Sequence, residues 1–351
     1  MKIRSAILLF GILFALTSTH VFAQEIVPQD PELQTGTQPE NENPLPSPNQ
    51  PSQLRVPAGA RILVFSPHPD DETLAAGGLI QRVIEKGGHA RVVIVTNGDA
   101  YSKGVQLLTG RSKILTQDYV SYGIRRHAEA LAAAARLGLK PEDVIFLGFP
   151  DQGIVSLQSV NWPAEKPYTS PYTRYNHPYM SSLGKSVKYD GADLDKEMEK
   201  IISDYAPDWI ILPDPRDTHP DHSSTGIFVL EALNRLGQKN EELPAKSRIL
   251  TYLVHFPGYP NSDRWEGQIE KPGSSPASRI LSSADWLRFD LTPKEVSTKK
   301  SAIVSYHSQL EVLGRLMRRF IRPTELFGRL DNGQILAIAR LYGARVNASA
   351  K

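Results

Sequence analysis

The chain has 351 residues, with 40 Lys and Arg against 38 Asp and Glu, giving a formal net charge of +2. That surplus sits in Lys2 and Arg4, and the chain after residue 23 is balanced, which argues against a nucleic-acid partner because phosphate-binding surfaces normally carry a basic excess or stripe. The absence of cysteine excludes disulfides, thiolate metal ligands and a thiol nucleophile, leaving any chemistry to oxygen and nitrogen donors.

Lys2 and Arg4 precede an apolar run over residues 6–16, and Val21-Phe22-Ala23 supplies small residues where a signal peptidase reads. Residues 1–23 are therefore expected to be a signal peptide of an exported, periplasmic or secreted protein, with an uncleaved anchor as the alternative. The run is shorter than the roughly 20 residues of a membrane span, and no later segment is long and apolar enough to cross one. Residues 24–57 are rich in Pro, Gln, Asn, Glu and Ser and are expected to be a disordered linker. Residues 58–351 are expected to form one folded domain.

Within that domain, Val- and Ile-rich runs alternate with longer amphipathic stretches. A strand is predicted over 61–66 (RILVFS), then a turn, a helix over about 72–86 and a strand over 90–96. A helix over about 122–137 ends at Gly138 and leads to a strand at 144–147. After a long Tyr- and Pro-rich connection to about residue 191, the pattern gives a helix over about 194–205, a strand over 208–212 and a helix over about 221–236. A strand at 248–254 and a terminal helix between 293 and 322 close the chain; the basic run 315–322 (RLMRRFIR) reads as a solvated helix face. The sum is an α/β fold, a Rossmann-like doubly wound, mostly parallel sheet with helices on both faces.

Two segments concentrate potential metal donors. Ser66-Pro67-His68-Pro69-Asp70-Asp71-Glu72 follows the first strand, and His219-Pro220-Asp221-His222 follows the strand DWIILP. Ligands in open α/β sheets bind beyond the carboxyl ends of strands, so both segments are expected at one crevice. A catalytic zinc site uses three protein ligands and leaves one position open, and His68, Asp71 and His222 supply such a set. Asp70 sits beside it as a candidate general base, and His219 as an acid or oxyanion stabiliser whose charged form the nearby carboxylates would favour. Taken alone, the acidic run could be only a helix cap, and a His-x-x-His only surface decoration; their equivalent positions at two strand ends favour the metal site.

The turn His68-Pro69-Asp70-Asp71-Glu72 and the later His219-Pro220-Asp221-His222 resemble the hallmarks of the PIG-L (LmbE-like) family of zinc-dependent N-acetylglucosaminyl deacetylases, over most of the chain from Ala60 to the helix near Leu313. The resemblance implies zinc, or another divalent metal, on His68, Asp71 and His222, with Asp70 as base and His219 assisting. Arg126 and Glu129 are similar to that family's Arg-x-x-Glu helix, whose Arg faces the substrate pocket; the alternative is a surface Arg in an intrahelical pair. Asp151 in LGFPDQG resembles its Pro-Asp-Gly loop, with Gln152 inserted, and Tyr306-His307-Ser308-Gln309 its late Ser-Gln motif. The implied substrate is an N-acetylated sugar or glycoconjugate, on an envelope or extracellular glycan if the chain is exported. Hydrolysis of a different amide or ester bond, and a metal-holding binding module without turnover, are the competing expectations. The sequence leaves the oligomeric state open.

Overall fold

The computed structural model describes residues 51–184, 186–239, 246–260, 280–281 and 285–349. Among the described residues, eight strands form one sheet in the order β1-β7-β8-β6-β5-β2-β3-β4. They are β1 (Ser52–Gln53), β2 (Arg61–Ser66), β3 (His89–Thr96), β4 (Val144–Phe149), β5 (Trp209–Pro213), β6 (Arg248–Tyr252), β7 (Asp285–Asp290) and β8 (Thr324–Leu330). Pairing is parallel throughout β4-β3-β2-β5-β6 and between β1 and β7, whereas β8 runs antiparallel to both β6 and β7. The sheet is thus α/β and mostly parallel, as the sequence pattern implies.

Helices cover both faces because the central strands bury both sets of side chains. On β2, Ile62 and Val64 enter one apolar layer with Leu79, Ala130 and Ala302, while Leu63 and Phe65 enter the other with Leu194, Phe228 and Ile338. The first layer is covered by α1 (Asp71–Glu85), α3 (Thr116–Arg136) and α7 (Pro293–Ile303), and the second by α5 (Gly191–Tyr205), α6 (Pro220–Gln238) and α9 (Asn332–Ser349). Each fully buried aliphatic side chain contributes about 1.5–3 kcal/mol, so one such strand anchors two helix layers at once. Among the described residues the other α-helices are α2 (Ser102–Thr109), the single turn α4 (Ile154–Leu157) and α8 (His307–Arg318), and a 3-10 turn spans Pro141–Asp143.

Several expectations need correction. The linker expected to run to residue 57 gives way earlier: Ser52 and Gln53 pair with β7, and Leu54 and Val56 are buried, so the ordered domain already includes residues 52–57. The leader over 1–23 and the linker up to residue 50 lie outside the described residues. The single terminal helix is two, α7 and α8, meeting at Ser305 and Tyr306; Thr292 and Glu295 close a reciprocal cap at the start of α7. α3 begins at Thr116, six residues before the predicted start. Among the described residues, no helix is long and apolar enough to cross a membrane.

Candidate active site

The chain passes from β2 outward to β3 and β4, then returns to place β5 on the other side of β2. Order reverses between β2 and β5, and a ligand crevice opens at such a point beyond the carboxyl ends of the strands. His68, Asp70 and Asp71 follow β2, and His219 and His222 follow β5. All but the buried His222 line one cavity of about 180 Å³, which Arg126 and Asp151 also line.

The three expected ligands converge. His68 Nδ1 lies 3.3 Å from Asp71 Oδ2, His222 Nε2 lies 3.1 Å from the same oxygen, and the two imidazole nitrogens are 3.3 Å apart. Donors about 2.0–2.1 Å from a tetrahedral zinc stand about 3.3 Å from one another. The edges of this triangle match that spacing, and two imidazoles with one carboxylate are a borderline-to-hard donor set that suits a divalent ion, so these residues fit a metal. Burial alone would raise the Asp71 carboxyl, yet the imidazoles of His222 and His68 hold it well below the usual range, so it is an anion ready to coordinate.

Each of these two histidines is held from behind by a carboxylate. His68 Nε2 lies 3.3 Å from both Asp221 Oδ2 and Asp151 Oδ1, and His222 Nδ1 lies 3.4 Å from Asp217 Oδ2. Such partners fix the tautomer and ring orientation of a metal-bound imidazole. Asp217 does more, accepting the backbone N–H groups of His219 at 3.0 Å, Val254 at 2.9 Å and His255 at 3.0 Å. Asp221 accepts from the backbone of Gln152 at 2.7 Å and Ile154 at 3.2 Å, tying the loop after β4 to α6. Neither was singled out from the sequence, although acids flanking a His-x-x-His segment carried the signal. His255, after β6, was also missed: its ring packs 4.8 Å from His222 and 5.3 Å from His219, and no motif marks it.

Asp70 occupies the N-cap of α1 with φ of 137°, a conformation that costs a non-glycine residue about 1–3 kcal/mol and survives only where its surroundings over-determine it. They do so here. Its N–H donates to Glu72 Oε2 at 3.2 Å, and that carboxylate is fixed in turn by Ser66 Oγ at 2.9 Å and by the buried Tyr306 hydroxyl. Arg126 Nη2 reaches Asp70 Oδ2 at 3.2 Å and the Pro69 carbonyl at 2.8 Å, while Nη1 donates to the Gly98 carbonyl at 2.8 Å. Burial pushes the Asp70 carboxyl up to about 8, with Arg126 pulling the other way and Asp71 and Glu72 adding to the rise.

α3 delivers these partners from one face. Tyr122, Arg126 and Glu129 lie four and three residues apart, close to one turn each. Tyr122 accepts from Gln309 Nε2 at 2.7 Å, and Glu129 accepts from the Ser308 hydroxyl at 2.6 Å, which pins the start of α8 against the pocket. Arg126 therefore faces the site and makes no intrahelical pair with Glu129, which is bound by Arg125 at 3.0 Å. Asp151 faces His68, accepts from Ala100 N at 2.7 Å, and is lowered to about 2 because His68 and Arg126 outweigh its burial.

His219 departs from expectation. As the N-cap of α6 its Nδ1 accepts from the Asp221 backbone at 3.2 Å, which leaves Nε2 to carry the proton of the neutral ring. Burial lowers it to about 3, with His68, His222 and His255 adding to the fall. The neighbouring carboxylates do not win, and the ring is a neutral donor at neutral pH.

Residues 63–233 match the PIG-L family, described as GlcNAc-PI de-N-acetylase. A curated relative from Mycobacterium sp. (strain KMS), 1D-myo-inositol 2-acetamido-2-deoxy-alpha-D-glucopyranoside deacetylase, is 28% identical over 181 residues, 50% of each chain. The diacetylchitobiose deacetylase of Thermococcus kodakarensis is 24% identical over 183 residues, 51% of each chain. The chain thus spans about half the length of the curated relatives it matches. Among solved structures, that of an antimicrobial-reagent pseudoaglycone deacetylase superimposes with a TM-score of 0.50 at 18% identity, covering 77% of this chain and 97% of that one, a likeness of fold.

Proposed function

This chain carries a PIG-L family domain, and from that premise we propose that it is a metal-dependent N-deacetylase that hydrolyses the N-acetyl group of an amino-sugar-containing substrate. The observation that carries the reading is the His68, Asp71 and His222 triangle with edges of 3.1–3.3 Å, set beside Asp70 and His219 on one cavity. A divalent ion held by those three residues, zinc by preference, would supply Lewis acidity toward the amide carbonyl and toward water.

The chain's own groups complete the reaction. In its ionised form, which the neighbouring Arg126 favours, Asp70 takes a proton from the attacking water as the water oxygen bonds to the carbonyl carbon. Arg126 keeps the accepting carboxylate in place. His219 donates from Nε2 to the oxygen on which negative charge develops, a role that suits a neutral ring whose other nitrogen is already engaged. The C–N bond then breaks, Asp70 returns its proton to the leaving nitrogen, and acetate and free amine result. The reading includes export, with the mature chain beginning at Gln24 and acting on an envelope or extracellular glycan or glycoconjugate; it is supported by the Lys2-Arg4 leader pattern.

Acetate release from N-acetylglucosamine oligomers by the metal-loaded protein is expected to vanish on chelation and to fall by about 10²–10⁴-fold in Asp70→Ala. Undiminished turnover by either the chelated protein or the variant would sink the mechanism.

A further inference from the structure

The connection from Gln152 to Asp190 carries five tyrosines, and the structure sorts them. Tyr189 is buried against Phe149, and Tyr175 stacks on Tyr179 at 5.0 Å, whose hydroxyl donates to Asp99 at 2.6 Å; these are anchors of the connection itself. Tyr168 packs against the apolar layer below. Tyr172 does neither. It remains half-exposed, and its ring meets that of Tyr119, also half-exposed, edge to face at 5.2 Å and 63°.

Both rings are tied to the cavity. The Tyr172 hydroxyl donates to Gln152 Oε1 at 2.8 Å, and Gln152 lines the cavity, with its Nε2 on the Ala100 carbonyl at 3.0 Å. Ser102 Oγ lies 2.9 Å from the Tyr119 hydroxyl and follows directly on Tyr101, which also lines the cavity. The hydroxyls of Tyr119 and Tyr172 are therefore engaged, and what the pair has left to offer a ligand is ring surface. Gln152 itself sits at φ of 60°, so the residue that departs from the Pro-Asp-Gly pattern is the one that clamps the aromatic corner to the pocket.

The cavity, at about 180 Å³, is below the roughly 300–1,000 Å³ of pockets that enclose a whole drug-sized ligand. It can take the acetylated unit, and anything joined to that unit must lie across the rim. We propose that Tyr101, Tyr119 and Tyr172 form a second carbohydrate subsite at the mouth of the cavity, which receives the pyranose ring next to the acetylated one, so that the preferred substrate is an oligosaccharide. A pyranose ring has an apolar face of C–H groups whose slight positive charge suits the negative face of an aromatic ring. The proposal rests on the deacetylase reading given above.

The test compares kcat/KM for N-acetylglucosamine and for its tetramer in the metal-loaded full chain. The wild type is expected to prefer the tetramer, and Tyr119→Ala and Tyr172→Ala to narrow that preference by about tenfold, mainly through KM. Tyr172→Phe keeps the ring and is expected to retain most of the preference, which separates stacking from loss of the Gln152 clamp or of the fold. Tetramer and monomer handled with equal efficiency, or a preference that survives both alanine variants, would overturn the subsite and leave the deacetylase reading intact. No acetate from either sugar would overturn both.

Discussion

At the scale of single residues, the site is a set of donors whose free valences are already committed in the right direction. Asp217 is the most informative of them, because one carboxylate fixes the His222 ring and three backbone N–H groups from two loops. Asp217→Asn keeps the shape and removes the charge that polarises His222. Metal affinity, read by competition with a chelator, is expected to fall about 10–100-fold, with the folded state retained by circular dichroism. Unchanged affinity would mean that the 3.4 Å contact does nothing for the ligand. The candidate ligands were legible in the sequence because two short motifs carry the donor types at workable spacing. Asp217, Asp221 and His255 were not, since an orienting contact depends on where the chain folds back rather than on a local pattern.

At the scale of elements, β5 and α6 together aim His219 and His222, and Gly226 sets how closely they pack. A Cβ at Gly226 would fall 2.2 Å from the Pro213 carbonyl oxygen. In an open helix Gly→Ala gains about 1 kcal/mol, but here the obstacle is backbone that cannot swing aside. Gly226→Ala is expected to destabilise by about 1–3 kcal/mol, visible as a lower denaturant midpoint; a higher midpoint would show the helix free to shift. The central strands could be read from the sequence because they are buried on both faces and so almost uniformly apolar, as in WIILP and RILVFS. β7 alternates between buried and partly exposed residues and pairs with β8 across a hairpin-free connection, so its signal was weak; β1 is only two residues long. The break between α7 and α8 was hidden because residues 304–306 are compatible with helix, and the Tyr306 hydroxyl on Glu72 is a tertiary contact.

At the scale of the whole molecule, the helix layer on one face of the sheet buries a carboxyl that responds to pH. Glu231 on α6 is buried with both carboxylate oxygens lacking a hydrogen-bond partner, and Arg235 approaches only to 3.9 Å. Burial pushes it from 4.5 up to about 7. The folded state therefore holds a proton that the unfolded chain has released, so this group's contribution to stability is complete below about 4.5 and is lost as pH rises through about 7. Glu231→Gln, which cannot ionise, is expected to gain stability over wild type at pH 8 by up to about 3 kcal/mol and to gain little near pH 4. Equal midpoint shifts at both values would show that the carboxyl titrates normally. A different consequence follows from the contact between His68 and His222, which joins residues 154 apart in the chain. An ion gripped from both sides closes a loop of that length, and the entropy removed from the unfolded chain by a cross-link grows with the loop it closes. The ion would thus act as a rivet through the middle of the fold, and starving the protein of metal would slacken the union of its two halves as well as silence its chemistry.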